Sequence, residues 1–290
     1  MNMAKVIQEV YKVREKQNAF QTKIEAKSLS FSYEGVEILQ DINLTIKKGE
    51  FITLMGPSGS GKSTLLRLLT GLAQPKSGEV LVDSVSTKKA LPDSAVVFQD
   101  YSLFPWLTAE ENIILAMKRT MKKSKSKKEL AHLAGQYLEL VQLGHAVKKY
   151  PGEMSGGMRQ RAAIARALSL GSDLMFMDEP FGALDPVTRI QLQDIILQVN
   201  RDQQRTVVFV THDAEEAIIL ADRIVMFTPG PPGKIAEIID VPFKKPRDRK
   251  MLIESQEFIK FRNEILRVMN NGIFKKIEQN ETVQPYGAGI

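Results

Sequence analysis

The stretch that decides the fold is Gly56-Pro57-Ser58-Gly59-Ser60-Gly61-Lys62-Ser63-Thr64. It completes the pattern G-x-x-x-x-G-K-[ST] directly after the apolar run 51–55, and a leucine-rich segment follows it. This order predicts a strand, a glycine-rich loop and a helix. The glycines let successive N–H groups point at phosphate oxygens, and the helix N-terminus adds a positive dipole. Lys62 is expected to reach the β- and γ-phosphates and Ser63 to offer a hydroxyl to Mg²⁺, so a nucleoside triphosphate site is predicted.

Composition sets the class of protein but not its partners. The 290 residues are 43% hydrophobic, enough for one large α/β domain or two smaller ones. The absence of cysteine excludes disulfides, zinc thiolate sites and thiol catalysis, and three histidines argue against a multi-histidine metal centre. No apolar run reaches about 18 residues and no secretory signal is visible, so we expect neither a membrane span nor export. A net charge of +6 suits nucleic acid, an anionic membrane surface or an anionic ligand.

The pattern along the chain predicts an α/β fold, with a P-loop NTPase core and a mostly parallel sheet. Alternating runs at 24–33 and 37–46 predict an N-terminal antiparallel β subdomain. Helical spacing from about residue 108 predicts a helical insert. The remaining elements are predicted as strand 174–177, helix 186–200, strand 206–210, helix 214–221 and strand 223–227. Strands that alternate with helices imply parallel pairing with right-handed crossovers.

Two carboxylates follow the apolar residues 174–177. Asp178 and Glu179 are therefore predicted at the carboxyl end of a buried parallel strand, where open α/β sheets bind their ligands. Asp178 is suited to hold Mg²⁺, and Glu179 to polarise an attacking water as a general base. Acidic residues also follow strands as helix caps, and that structural interpretation remains open for the pair.

A second glycine-containing helix start is predicted at Ser155-Gly156-Gly157. Ser155 is the natural N-cap, because the residues after it are apolar at helical spacing. The exposed amides at such a helix start form an anion-binding site. A plain capped helix would show the same local pattern.

The stretch Met154 to Arg161, lying before the Asp178-Glu179 strand, resembles the signature motif of ATP-binding-cassette ATPases. It departs from the common Leu-Ser-Gly-Gly-Gln form at Met154 and at Met158. Met154 keeps the apolar volume. Met158 lacks the amide, but methionine followed by Arg-Gln-Arg resembles a variant frequent in bacterial importers.

The resemblance implies roles for four further residues. Tyr33 matches the aromatic that stacks on adenine, and Gln99 matches the glutamine that contacts Mg²⁺ and water and senses a transmembrane partner. Asp185 lies in the segment that resembles the D-loop, and His212 matches the switch histidine, a neutral donor to the γ-phosphate. A tyrosine in a strand or a histidine after one is, taken alone, more often structural.

In the resembled family two cassettes face head to tail, and each ATP lies between one chain's P-loop and the other chain's Ser-Gly-Gly helix. The resemblance thus implies ATP and Mg²⁺ as cofactors and a second copy of the chain as a partner. It also implies permease subunits in the membrane, indirectly an extracytoplasmic solute-binding protein, and a peripheral position at the cytoplasmic face of the membrane. Residues 104–108, 178–185 and 228–235 resemble ATPase subunits of nitrate, sulfonate and taurine importers, so a small anionic solute is expected.

The predicted boundaries follow from the same patterns. We expect an N-terminal extension at 1–23, an ATP-binding-cassette ATPase domain at 24–240 with its helical insert at about 108–165, a C-terminal helical extension at 241–274, and a disordered tail at 275–290. The N-terminal extension is either a short amphipathic helix or a solvated segment. The linker 118–128 carries seven positive charges and no negative one, and it is either solvated or in contact with an acidic surface or lipid headgroups.

Two other classes of protein compete with an importer ATPase. A soluble cassette ATPase acting on nucleic acid or on protein assembly would suit the basic charge. Such proteins usually carry two cassettes, a coiled coil or zinc fingers, and none is visible here, so no nucleic-acid partner is expected. A kinase or small GTPase would share the P-loop, but it would not explain Ser155-Gly156-Gly157 and His212.

Overall fold

The computed structural model describes residues 21–87, 91, 94–120 and 125–281, with side chains described as far as residue 270. The hypothesis of an amphipathic helix in the N-terminal extension falls outside these residues. The middle of the lysine-rich linker and the tail from residue 282 fall outside them as well.

The strands are β1 (Thr22–Tyr33), β2 (Val36–Lys47), β3 (Phe51–Met55), β4 (Ser77–Val82), β5 (Val85–Ser86), β6 (Ser94–Val97), β7 (Leu174–Asp178), β8 (Thr206–Val210), β9 (Arg223–Phe227) and β10 (Ile235–Asp240). The helices are α1 (Lys62–Leu69), α2 (Ala109–Thr120), α3 (Lys127–Leu140), α4 (Gly156–Ser169), α5 (Pro186–Gln203), α6 (Ala214–Leu220), α7 (Arg249–Ile253) and α8 (Gln256–Glu281). Two short 3₁₀ turns lie at Gly144–Ala146 and Pro151–Glu153.

The chain forms two compact units. Among the described residues, the first comprises 21–23, 46–51, 91, 94–120 and 125–210, and the second comprises 24–45, 52–87 and 211–281. In the second unit, the strands β2-β1-β4-β5 form an antiparallel sheet. In the same unit β3 pairs in parallel with β9, and β10 pairs antiparallel with β9.

The first unit contains the parallel strands β6, β7 and β8 and the helical insert. The register pairs Val97 with Met177 and Asp178 with Val210. Strands β7 and β8 are buried along their whole length, which explains why they read as continuous apolar runs. The ring of Phe209 lies 5.8 Å from that of Phe51 and 5.5 Å from that of Phe181. This packing anchors the turn that follows β7.

Helices α2 and α3 of the insert both begin at reciprocal caps. The Thr108 N–H donates to the Glu111 carboxylate, and the Glu111 N–H donates back to the Thr108 hydroxyl. Ser126 and Glu129 make the same pair of bonds at α3. Since each cap satisfies amides that a helix start leaves unpaired, these residues set where the helices begin.

The predicted α/β fold class is confirmed, with parallel strands between helices, an antiparallel N-terminal part and a helical insert. Strands β3, β8 and β9 have the predicted bounds. The C-terminal extension is helical, and α8 continues to Glu281, past the boundary predicted at residue 274. No helix within the described parts of the chain combines the length and the apolar character needed to cross a membrane.

The C-terminal extension is connected to α6 by a half-buried arginine. The Arg247 guanidinium donates to the carbonyl oxygens of Ile218, Ile219 and Ala221 at the end of α6, at 2.8–2.9 Å. Burial lowers the pKa of Arg247 to about 10, a shift that nearby Asp222 opposes. The group stays protonated at neutral pH, so it neutralises the negative end of the helix dipole.

Candidate nucleotide-binding site

The P-loop lies between β3 and α1, as predicted. Gly61 is the N-cap of α1 with φ +89°, and a Cβ there would lie 2.5 Å from Leu39 Cδ2. A larger residue would therefore have a strained backbone and would have to displace the Leu39 side chain. No side chain caps the helix, and its first turn holds no acidic residue. The local field at this helix start therefore favours an anion.

Lys62 lies at the centre of this loop. Its ammonium donates to the carbonyl oxygens of Gly56 and Pro57, each at 2.8 Å, and lies 3.4 Å from the Ser60 hydroxyl. The side chain is 7% exposed. The loop thus curls around the charge that is expected to meet the phosphates, while the neighbouring Ser63 is exposed on α1.

The turn 228–233 packs directly against the P-loop. A Cβ on Gly233 would lie 1.9 Å from the Ser60 carbonyl oxygen, which no side chain can accommodate. The Gly233 N–H donates to the Ile38 carbonyl oxygen, and its own carbonyl accepts from the Gln40 N–H. From the sequence this turn was known only by a family resemblance, and the structure adds a supporting contact to the phosphate loop.

Tyr33 and His212 also belong to the second unit. Tyr33 ends β1 as an exposed ring, in edge contact with Phe31 at 4.8 Å. The Thr211 N–H donates to the Leu54 carbonyl oxygen of β3, two residues before the P-loop begins. His212 therefore follows a residue that is hydrogen-bonded to the end of β3. His212 is exposed and precedes Asp213, the N-cap of α6.

Gln99, Asp178 and Glu179 come together in the first unit. Because Val97 pairs with Met177, the three residues follow neighbouring parallel strands at the same sheet edge. Asp178 is buried and Glu179 is half-buried. The helix-cap interpretation of these carboxylates is wrong, since a turn follows them and the next helix, α5, is capped by Asp185.

Ser155 is the N-cap of α4, as predicted, and its hydroxyl accepts from the Met158 N–H at 3.2 Å. The side chain is exposed, and Gly156 and Gly157 form the first turn of the helix. Asp185 caps α5 by accepting from the Thr188 N–H at 3.0 Å. Hydrogen bonds from the Thr188 hydroxyl and from the Thr188 N–H lower the pKa of the Asp185 carboxyl below its ordinary value.

One residue that contacts this site was missed from the sequence. Gln160 of α4 is 2% exposed, and its side chain bonds to the backbone of Glu179 and Ala183. A signal was present, because Gln160 precedes the buried Ala163 and Ile164 by three and four residues. A polar side chain on the buried face of a helix must find partners within the protein.

Comparison with known proteins agrees with this geometry. A family model described as "ABC transporter" matches residues 39–182. The nitrate import ATP-binding protein NrtD of Synechococcus elongatus is 45% identical over 228 residues, which cover 79% of this chain and 83% of NrtD. This chain belongs to the ABC transporter family. The bicarbonate transport ATP-binding protein CmpC of a Synechocystis strain is 47% identical over 80% of this chain, although the match spans 35% of CmpC.

Solved ABC cassettes share the fold. The cassette MJ0796, in a dimeric post-hydrolysis state bound to ADP and Pi, superposes with a TM-score of 0.71 at 32% identity. The superposition covers 76% of this chain and 100% of the MJ0796 chain. The chain is therefore an ABC ATPase with an ATP-binding domain, as the P-loop and the Ser-Gly-Gly helix start predicted.

Replacing Lys62 tests the phosphate assignment. We expect Lys62→Ala to weaken ATP binding by about a hundredfold, because a charge-assisted contact to a phosphate is lost from a partly desolvated loop. The measurement is a titration with a fluorescent ATP analogue. Arg67→Ala, on the exposed side of the same helix, is the matched control and should bind as the unaltered chain does. Equal affinity in both variants would contradict the assignment.

Proposed function

We propose that this chain is the ATP-hydrolysing subunit of an ABC importer for a small anionic solute such as nitrate, sulfonate or taurine. It acts as a pair of identical chains at the cytoplasmic face of the membrane. The observation that carries the proposal is the presence of both halves of a cassette ATP site in one chain, a P-loop around Lys62 and an exposed helix start at Ser155. The names of the relatives, for nitrate import and bicarbonate transport, support an anionic solute.

The residues present fit ATP with Mg²⁺. The uncapped start of α1 and the buried ammonium of Lys62 suit the phosphates. Ser63, Gln99 and Asp178 offer hydroxyl, amide and carboxylate oxygens, the donor types that Mg²⁺ prefers, and we assign them to the metal. When bound, Mg²⁺ neutralises charge that develops on the phosphate oxygens. Tyr33, exposed at the end of β1, supplies a ring on which adenine can stack.

Hydrolysis then needs a base and a donor. Glu179 accepts a proton as a water oxygen bonds to the γ-phosphorus and the bond from that phosphorus to the bridging oxygen of ADP breaks. His212, as a neutral imidazole, donates a hydrogen bond to the γ-phosphate. The ammonium of Lys62 stabilises the charge on the transferred group.

Ser155, Gly156 and Gly157 serve the nucleotide of the other chain. The hydroxyl and the amides at the start of α4 bind its γ-phosphate, and Asp185 lies in the loop that meets the partner. Loss of the γ-phosphate removes this contact, so hydrolysis shifts the pair towards an open arrangement. The two arrangements differ in affinity for ATP, so ATP binding and hydrolysis shift the population between them and couple ATP turnover to transport.

An exposed aromatic pair marks the surface for a membrane partner. Trp106 is 69% exposed and its ring lies 5.5 Å from that of Phe104. Their loop is held in place by Asn112, a buried residue whose side chain bonds to the backbone of Phe104, Leu107 and Thr108. The loop follows Gln99 by a few residues and leads into the helical insert. A fixed, exposed tryptophan of this kind suits a permease subunit, because tryptophans carry much of the binding energy at interfaces.

Replacing Glu179 tests the catalytic half of the proposal. Glu179→Gln removes the base while keeping the size of the side chain, so we expect turnover to fall by at least about a hundredfold with ATP binding retained. ATP without hydrolysis should hold the chains together, which size-exclusion chromatography with light scattering detects as a stable dimer. Glu237→Gln, on the exposed strand β10, is the matched control. Rapid turnover by Glu179→Gln would remove Glu179 as the base.

Replacing Trp106 tests the transport half. We expect Trp106→Ala to keep its ATPase rate within about twofold and to recover about tenfold less permease when the tagged chain is purified from detergent-solubilised membranes of its host. Val85→Ala is a control of equal exposure, at 68%, in the second unit. If Trp106→Ala recovers as much permease as the unaltered chain, the proposal that the permease binds this aromatic pair is contradicted. Salt-sensitive recovery of DNA or RNA instead of a membrane protein contradicts the importer.

A further inference from the structure

Gln160 connects helix α4 to the residue proposed as the base. Its Nε2 donates to the Glu179 carbonyl oxygen at 3.0 Å, and its Oε1 accepts from the Ala183 N–H at 2.9 Å. One partner can only accept and the other can only donate, so the amide has a single satisfactory orientation. Gln160 is 2% exposed, so its amide depends on partners within the protein, and both hydrogen bonds are part-buried.

The backbone of Glu179 is in an unusual conformation. Its φ is +46°, in the left-handed region that non-glycine residues rarely adopt. The Glu179 N–H donates to the Val210 carbonyl oxygen of β8 at 3.1 Å, and the Glu179 carbonyl accepts from Gln160 and, at 3.3 Å, from the Gly182 N–H. Such a conformation costs free energy and persists where surrounding contacts determine it from several sides.

The turn after Glu179 lies against the first turns of α4. A Cβ on Gly157 would lie 3.1 Å from the Ala183 carbonyl oxygen, so the two backbones approach closely. Phe181 packs on Phe209 from the other side. Gln160 is the side chain of α4 that hydrogen-bonds to both the beginning and the end of this turn. A movement of α4 would therefore act on the backbone of Glu179.

We propose that Gln160 is a positioning residue for hydrolysis, which holds Glu179 in its left-handed conformation and connects it to the Ser155 end of the same helix. The inference rests on the proposed function, because it takes Glu179 as the base. It goes beyond that function by assigning to α4 an effect on its own chain's base. In the head-to-tail pair, the helix that binds one nucleotide thus controls the base that serves the other.

Gln160→Met removes both hydrogen bonds with little change in volume. The Ala183 N–H loses its acceptor, Oε1, and the Glu179 carbonyl loses its donor, Nε2. We expect kcat to fall by about ten- to a hundredfold with the KM for ATP within about twofold, because a small misplacement of a catalytic group lowers the rate without weakening substrate binding. Gln193→Met is the matched control, a buried glutamine of α5 that is 3% exposed, and its kcat should not change.

Steady-state ATPase assays of both variants, with thermal midpoints measured in parallel, test the inference. The inference is supported if Gln160→Met lowers kcat while its thermal midpoint stays unchanged. It is also supported if both variants have the same thermal midpoint and Gln160→Met loses more kcat than Gln193→Met. An unaltered kcat overturns it, as does a parallel rise in KM. If Gln160→Met does not fold, Gln160→Glu takes its place, since its carboxylate keeps the acceptor for Ala183 and cannot donate to the Glu179 carbonyl.

A double variant separates positioning from general damage. In a Glu179→Gln background, Gln160→Met should cause no further loss of single-turnover hydrolysis and should leave the ATP-bound dimer intact, because it acts through Glu179. A further, additive loss would overturn the inference. The proposed function is tested separately. Rapid turnover by the single variant Glu179→Gln contradicts the role of Glu179 as the base. An inactive Glu179→Gln together with a fully active Gln160→Met contradicts only the role of Gln160.

Discussion

The hydrogen bonds from the Lys62 ammonium to the carbonyl oxygens of Gly56 and Pro57 are the interaction on which the site depends. They hold a positive charge inside a ring of backbone that follows a fully buried strand. The loop can take this shape because Gly61 adopts a left-handed conformation and because the turn at Gly233 closes against Ser60. The strand, the loop, the turn and the helix therefore together hold the ammonium of Lys62, and the proposed contact with the phosphates uses that charge.

Each functional group is held by a rigid element within its own unit. Gln99, Asp178 and Glu179 follow parallel strands of the first unit, and Ser155 begins a helix of the same unit. The P-loop follows β3 in the second unit, and His212 lies in that unit after Thr211, whose N–H donates to the Leu54 carbonyl oxygen of β3. With one P-loop and one Ser-Gly-Gly helix start in the described residues, the chain supplies each half of a cassette site once. Under the proposed function a second copy would complete two sites, and the solved cassette MJ0796, which shares this fold, is dimeric.

Local patterns in the sequence predicted most of the architecture. Apolar runs predicted the strands and helical spacing predicted the helices, and Ser155 was correctly predicted as an N-cap. Local pattern could not decide whether Asp178 and Glu179 cap a helix, because that depends on the turn that follows them. It also could not give the contacts of Gln160 and Gly233, which join segments distant in sequence. Gln160 was the more accessible of the two, as a polar residue on an apolar helix face.

The claim that two chains share each ATP is tested most directly by mixing two inactive variants. Lys62→Ala disables the P-loop and keeps the Ser-Gly-Gly helix start. Ser155→Arg disables the Ser-Gly-Gly helix start and keeps the P-loop. In a head-to-tail pair made of one chain of each kind, one of the two sites is complete. About half of randomly paired dimers are mixed, so we expect the mixture to regain about a quarter of the ATPase rate of the unaltered protein, while each variant alone stays inactive. A mixture as inactive as its components would contradict the shared site.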